Sequence, residues 1–325
     1  LEIEAVKKGE ENMTLKAKVP EVMEKRLKMF VFGPAGVGKT TAVIQFPYCY
    51  IMDTERGTDF YANTIKDAKS VVLQTLNVDE IKEEVKSLAT EKHGYKTLII
   101  DPITQVYNNT QEKWTRSFEK YAKSEKDREV QDFGMRYWSK VKGDFKGLQR
   151  LILALDMNVI ITAHQKDVYG TGFNKVGVSF DSMKGDDYLF DLVFRVERKN
   201  GDLVAYKVKE RAELGKEKFP EEFVWSYENF CKFYGKEIIE KDSTPIVMAS
   251  AEQVVKIKNL VDTVKIDEDT INKWFLKADV DDWSEMSGEQ ITKCIDFVEK
   301  KLKALGNANP LNNNKTEIEK KGKKK

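Results

Sequence analysis

From Lys28 to Glu210, short runs of β-branched and aromatic residues alternate with longer segments of helical period. That alternation is the pattern of a parallel sheet whose strands are joined by crossover helices. The apolar runs predict strands at Met29–Phe32, Cys49–Asp53, Ser70–Gln74, Thr97–Asp101, Asn158–Ala163, Leu192–Glu197 and Val204–Lys209. A long insert, Pro102–Asp156, separates the fourth strand from the fifth. In its second half Trp138, Val141, Phe145, Leu148, Ile152 and Leu155 recur at steps of three and four, which predicts one helix packing that face on the sheet.

Residues 211–240 are rich in aromatics (Phe219, Phe223, Trp225, Tyr227, Phe230, Phe233, Tyr234) and are expected to close the sheet's edge. Residues 241–250, with Asp242, Ser243, Thr244 and Pro245, read as a linker. Beyond it Val254, Ile257, Val261 and Val264 share one helical face. Ser250 with Gln253, and Ser287 with Gln290, have the spacing of capping boxes that open helices. Residues 251–305 therefore read as a separate three-helix module, and 306–325, rich in Asn and Lys, as a disordered basic tail. Residues 1–26 form an N-terminal extension and 27–240 the core.

Composition narrows the class. Hydrophobic residues make up 41% of the 325 and charged residues 34%. No apolar run approaches the roughly 18 residues of a membrane span, and the first thirty residues contain no signal-peptide core. Three scattered cysteines rule out a disulfide framework, and with two histidines, His93 and His164, a His/Cys zinc centre is excluded. The expected setting is the reducing cytoplasm, without membrane attachment. A net charge of +1 means that nucleic acid would have to be held by local patches.

One stretch carries chemistry. Gly33-Pro34-Ala35-Gly36-Val37-Gly38-Lys39-Thr40 is a full G-x-x-x-x-G-K-[ST] match between a predicted strand and a predicted helix that begins at Thr41. Its glycines let backbone amides converge on phosphate oxygens, Lys39 reaches the β- and γ-phosphates, and the Thr40 hydroxyl serves Mg²⁺. ATP and Mg²⁺ are the expected cofactors, with residues 33–41, Thr41 included, as the nucleotide-binding set. A second carboxylate is needed at a neighbouring strand end, and the apolar run into Asp101 supplies it as the second metal-side residue. Asp53 and Glu55, two apart after the next strand, are both placed to face the nucleotide, where a carboxylate can orient and polarise the attacking water.

This succession (the phosphate loop, "DTERG" from Asp53, "LIID" ending at Asp101, "VIITAHQK" from Val159 and "YKVKERA" from Tyr206) resembles the RecA-like P-loop ATPase core. It is most similar to phage-type ATPases of single-strand annealing and recombination. The resemblance covers about Leu27–Gly215. It implies an α/β fold, a RecA-like P-loop core with a mainly parallel sheet, to which a small C-terminal helical module is added. It also implies an oligomer, ring or filament, acting on single-stranded DNA in the cytoplasm, that of the host cell for a phage-encoded chain. The family's catalytic base falls on Glu55, its γ-phosphate sensor on Gln165, and its trans-acting basic residues on Lys209 and Arg211. Its two DNA loops fall near Ser124–Gly134 and on Lys166–Lys184. In the second loop Lys166, Lys175 and Lys184 are assigned to phosphates, and Tyr169 and Phe173 to base stacking. The C-terminal module is expected to serve a protein partner or DNA rather than chemistry. A replicative helicase or its accessory ATPase, and a non-hydrolysing assembly protein switched by ATP, remain the alternatives.

Overall fold

The computed structural model describes residues 26–122, 130–211, 215–245, 247–278 and 280–307. Its centre is a nine-stranded sheet. The first half of the chain contributes β1 (Lys28–Gly33), α1 (Lys39–Val43), β2 (Cys49–Asp53), α2 (Ala62–Asp67), β3 (Val71–Gln74), α3 (Val78–Thr90) and β4 (Thr97–Asp101). Two long helices follow, α4 (Ile103–Ala122) and α5 (Val130–Ala154). Then come β5 (Asn158–Tyr169), β6 (Lys175–Asp181), α6 (Asp186–Leu189), β7 (Leu192–Lys199), β8 (Asp202–Glu210) and β9 (Glu222–Val224). Helices α7 (Tyr227–Tyr234) and α8 (Lys236–Ile239) close the core, and α9 (Ala251–Val264), α10 (Glu268–Ala278) and α11 (Gly288–Asn307) form the C-terminal module.

The strand order is β3-β2-β4-β5-β1-β7-β8-β9, with β6 pairing only with the outer part of β5. The five pairings from β3 to β7 are parallel, and the hairpins β5–β6, β7–β8 and β8–β9 are antiparallel. This is the expected α/β class, a mainly parallel sheet core with helices added at its C-terminal end. Alternation within β1 shows how the sheet is held. Met29 and Val31 face one hydrophobic layer with Phe194, Trp225, Phe230 and Tyr234, while Phe30 and Phe32 face the other with α3, α4 and α5. A strand buried on both faces has no polar side to show, which is why it reads as a continuous apolar run.

The helical stripe of the insert is buried as predicted at Val141, Phe145, Leu148, Ile152 and Leu155. Trp138 departs from it. It is 44% exposed and packs edge-on against Tyr137. Where α5 ends, buried Lys28 donates to the carbonyl of Ile152 in its last turn and to those of Leu155 and Met157 just beyond it. In residues 211–240 the expected closing edge is one short strand, β9, and the remaining aromatics form a packed cluster beneath it. Phe194 meets Phe219, Phe223 and Trp225 at ring-centroid distances of 5.2, 5.5 and 5.8 Å. Trp225 Nε1 donates to the carbonyl of Ala42, tying this cluster to α1.

Asn158 is fully buried at the start of β5. Its amide donates to Lys96 O and Ile239 O at 3.1 and 2.6 Å and accepts from the Leu27 amide at 3.2 Å. Asn158→Leu would fill the volume but leave the Leu27 amide and the Ile239 carbonyl without that partner, while Lys96 O would keep the backbone amide of residue 158. At about 1 to 3 kcal/mol for an orphaned buried group, a loss of about 3 kcal/mol in unfolding free energy is expected, read by urea denaturation.

In the C-terminal module both capping boxes form: the Ser250 and Ser287 side chains accept from the amides of Gln253 and Gln290, whose side chains accept from the serine amides. Ile257, Val261, Trp283, Met286, Ile291 and Val298 make a separate small core. The module meets α5 and α3 through the ion pairs Arg150–Asp281 and Lys86–Glu285. No helix among the described residues is long and apolar enough to cross a membrane.

Candidate functional site

β1 lies in the middle of the sheet, between β5 and β7, so the loop leaving its carboxyl end emerges at the sheet's centre. The loop's shape depends on two glycines. Gly38 has φ of 105° as the residue capping α1, a left-handed conformation that a side chain would strain. A Cβ on Gly33 would sit 2.3 Å from the carbonyl oxygen of Val196, so only glycine lets β1 pass that close to β7. Lys39 opens α1 and lies across the loop, donating to the carbonyls of Gly33 and Pro34 at 3.0 and 2.8 Å. Burial pulls its pKa below that of a free lysine, and the charges of Asp101 and Glu55 work against that shift.

The next residue reaches the second carboxylate. Thr40 Oγ1 donates to Asp101 Oδ2 at 2.6 Å, and Thr162 donates to Asp101 Oδ1. Asp101 stands at the end of β4, and β5 is interposed between it and β1. Burial raises the Asp101 pKa, opposed by the two threonine hydroxyls. The Thr40 and Asp101 oxygens are hard donors side by side, the chemistry that Mg²⁺ selects. Among the described residues no cluster of three or more His, Cys, Asp or Glu offers another metal site.

Asp53 and Glu55 separate in role. Asp53 turns inward, 2% exposed, and accepts from the amides of Glu55, Gly57 and Thr58 and from the Thr58 hydroxyl. The expectation that both acids face the nucleotide is corrected here. Two positions along an extended strand share a face, but the chain leaves β2 at Asp53 and curls, so Asp53 nucleates the loop while Glu55 projects from it. Glu55 accepts from Gln105 Nε2 at 2.5 Å, and His164 Nε2 lies 3.0 Å from its Oε1. Thr162 and His164 lie within the stretch from Val159 that carries the resemblance but were assigned no role in it, and Gln105, four residues beyond Asp101, belongs to no motif.

Gln165 sits on β5 with its side-chain oxygen buried and without a hydrogen-bond partner among the described residues. An amide oxygen in that state accepts readily from a water or a cation. β5 continues past Ala163 and the expected strand end to Tyr169, and β6 returns beside it, so Lys166–Lys184 is largely an ordered hairpin rather than an open loop. Lys166 pairs with Asp181 at 3.1 Å and Lys175 with Asp167 at 2.7 Å, while Tyr169 and Lys184 are exposed. The Phe173 backbone lies in a short 3₁₀ turn between the strands. Residues 124–129 of the other expected DNA loop are outside the described residues, and 130–134 begin α5.

Lys209 and Arg211 lie at and just beyond the end of β8, remote in the sheet from Glu55. Lys209 donates to Asp187 O and Tyr188 O, and Arg211 to Tyr188 O while pairing with Asp191 at 2.9 Å. Both cations are thus engaged by the turn around α6 of the same chain. Thr41 closes the loop's far side, its hydroxyl 3.0 Å from the Tyr61 hydroxyl.

The AAA domain family model matches residues 25–219, the segment that carries every element of this site. The chain belongs to the AAA domain family. Membership makes it a P-loop protein of the nucleotide-binding, NTPase type. Among solved structures, a crystal structure of the RadB recombinase is similar at 15% identity and a TM-score of 0.34, over 57% of this chain and 81% of that one. No curated protein matches the chain.

Proposed function

We propose that this AAA-family chain is a Mg-ATP-dependent ATPase that binds single-stranded DNA and acts, as an oligomer, in phage-type recombination or strand annealing. The observation that carries the reading lies on one strand. β5 supplies Thr162 to the carboxylate Asp101, carries Gln165, whose side-chain oxygen has no partner among the described residues and whose Nε2 would be the donor to a phosphate, and continues into the β5–β6 hairpin. A change at the γ-phosphate and a change at the hairpin root are therefore separated by no flexible joint. In this reading Thr40 and Asp101 hold Mg²⁺, which would neutralise charge on the β- and γ-phosphate oxygens. Glu55 orients the attacking water, Gln165 meets the γ-phosphate, and Lys209 and Arg211 act on a neighbouring subunit's nucleotide after leaving the α6 turn. The lysine ion pairs of the hairpin do not oppose DNA binding, because exposed pairs of this kind contribute about 0 to 1 kcal/mol and are readily exchanged for phosphate.

The test is single-stranded DNA affinity at constant salt with a non-hydrolysable ATP analogue and with ADP, alongside ATP turnover and a strand-annealing assay. Tighter binding with the analogue, DNA-stimulated turnover and accelerated annealing are expected. Gln165→Ala is expected to retain ATP binding and to erase the difference between the two nucleotide states. Replacing Phe173 and Lys175 by alanine should weaken DNA binding in both states by about tenfold, through loss of a stacking surface and a phosphate contact. Equal DNA affinity in the two states of the unaltered protein would overturn the coupling, and unwinding without annealing would favour the helicase-accessory role.

A further inference from the structure

Glu55 does not stand free at the mouth of the site. Its carboxylate is bracketed by two donors from different elements: Gln105 Nε2 from the first turn of α4, at 2.5 Å, and His164 Nε2 from β5, at 3.0 Å from one oxygen and 3.2 Å from the other. Glu55 and His164 are both about one-third exposed, so the contact lies where solvent or a substrate can reach it. His164 is in turn built into the hairpin root. Its backbone amide donates to Thr104 Oγ1 at 2.9 Å, and the same hydroxyl donates to the carbonyl of Asp181 at 2.7 Å. Asp181 is the ladder partner of His164 on β6, and its carboxylate pairs with Lys166.

A chain of contacts thus runs from the hairpin's basic side chain Lys166 through Asp181 and Thr104 to His164 and so to Glu55. We propose that His164 is a positioning residue that ties the orientation of the Glu55 carboxylate to the root of the β5–β6 hairpin, with Gln105 as the static second holder. The proposal rests on the reading of Glu55 as the group that orients water, and adds how its orientation is set. The physical argument is one of lone pairs. A carboxylate offers about four acceptor sites. Two donors occupy the sites facing α4 and β5, leaving the remainder for a water on the phosphate side. Glu55 sits on a loop, and without these donors its side chain samples several rotamers, most of which point the free lone pairs elsewhere. A twist of the hairpin root moves the imidazole and with it one of the two supports. The contact is between side chains only, so its loss has no direct consequence for the phosphate loop, where affinity for ATP originates.

Two substitutions and one spectrum test this. His164→Ala removes the donor, and His164→Gln restores an amide donor at similar reach. His164→Ala is expected to lower kcat for ATP by about 10- to 100-fold, the scale of a misplaced reacting group, with KM within about threefold, and His164→Gln should recover most of the loss. The ratio of turnover with and without a single-stranded oligonucleotide should fall towards one in His164→Ala. The chain has only two histidines, so imidazole ¹⁵N signals assign themselves by single substitution. The His164 signal should move in Glu55→Gln and again when the oligonucleotide is added, and the His93 signal should not. His164→Ala with full kcat, or no recovery in His164→Gln, or a His164 signal indifferent to both Glu55→Gln and oligonucleotide, would each overturn the proposal. Failure of the parent reading looks different: Glu55→Gln would itself hydrolyse ATP at the unaltered rate, and both readings would then fall together.

Discussion

Lys39→Ala is expected to leave ATP turnover at background and to weaken nucleotide binding. Lys39 lies at the first position of α1, with its ammonium already over the loop and bonded to the carbonyls of Gly33 and Pro34. Burial favours its neutral form, and the nearby Asp101 and Glu55 favour the charged one. The carboxylates make the site electronegative without a cation, so a triphosphate entering beside them depends on this ammonium and on the amides of the loop. Removing a preorganised donor at a centre of developing charge costs about 10²- to 10³-fold in rate. Here the donor is a full charge, so the loss should reach at least the upper part of that range. Alanine is well suited to a helix position, so the melting temperature should change little. The measurements are steady-state phosphate release and binding of a fluorescent ATP analogue. Undiminished turnover would show that the phosphates bind somewhere other than Gly33–Thr41.

Glu55→Gln should behave differently, binding ATP nearly as well as the unaltered protein and hydrolysing it about 10²- to 10⁴-fold more slowly, the range of a general base. The amide keeps the volume of the side chain and an oxygen that can accept from Gln105 or His164, so the loop should hold its shape. What disappears is the negative carboxylate proposed to orient and polarise a water. Asp53→Asn is the informative comparison. Asp53 accepts from three amides and a hydroxyl, and replacing one of its oxygens by an NH₂ group sets donor against donor inside the loop. Its expected signature is a lowered melting temperature with any fall in rate following from disorder around Glu55. If Asp53→Asn stops turnover at native stability while Glu55→Gln does not, the acids have been given each other's roles.

These two acids also show where reading a linear chain reaches its limit. Their spacing placed both at a strand end, and it could not say that the backbone turns at Asp53 and buries one of them. The same holds for the hairpin. Lys166–Lys184 carries the glycines of a loop, yet Lys175–Asp181 finds a ladder along β5, and pairing of this kind depends on which strand is left without a neighbour beyond the sheet's edge. Trp138 satisfied the helical period and is nevertheless 44% exposed, because periodicity identifies a face and not the depth at which each position on it is buried.

The phosphate loop, the strand that ends at Asp101 and the alternating order of strands and helices are all legible along the linear chain. Each of these depends on local chemistry: glycine's access to positive φ at Gly36 and Gly38, β-branched runs bounded by turns, and apolar residues repeating along one helical face. Folding, and no local stretch, makes Thr162 hold Asp101, His164 and Gln105 bracket Glu55, and Lys209 and Arg211 turn onto the loop around α6. Those contacts join residues 20 to 109 positions apart, and the pairing of β5 with β4 depends on a particular strand order. Strand order is set by how the whole sheet packs between its two helical layers, a sum over the entire core that no short stretch of residues encodes.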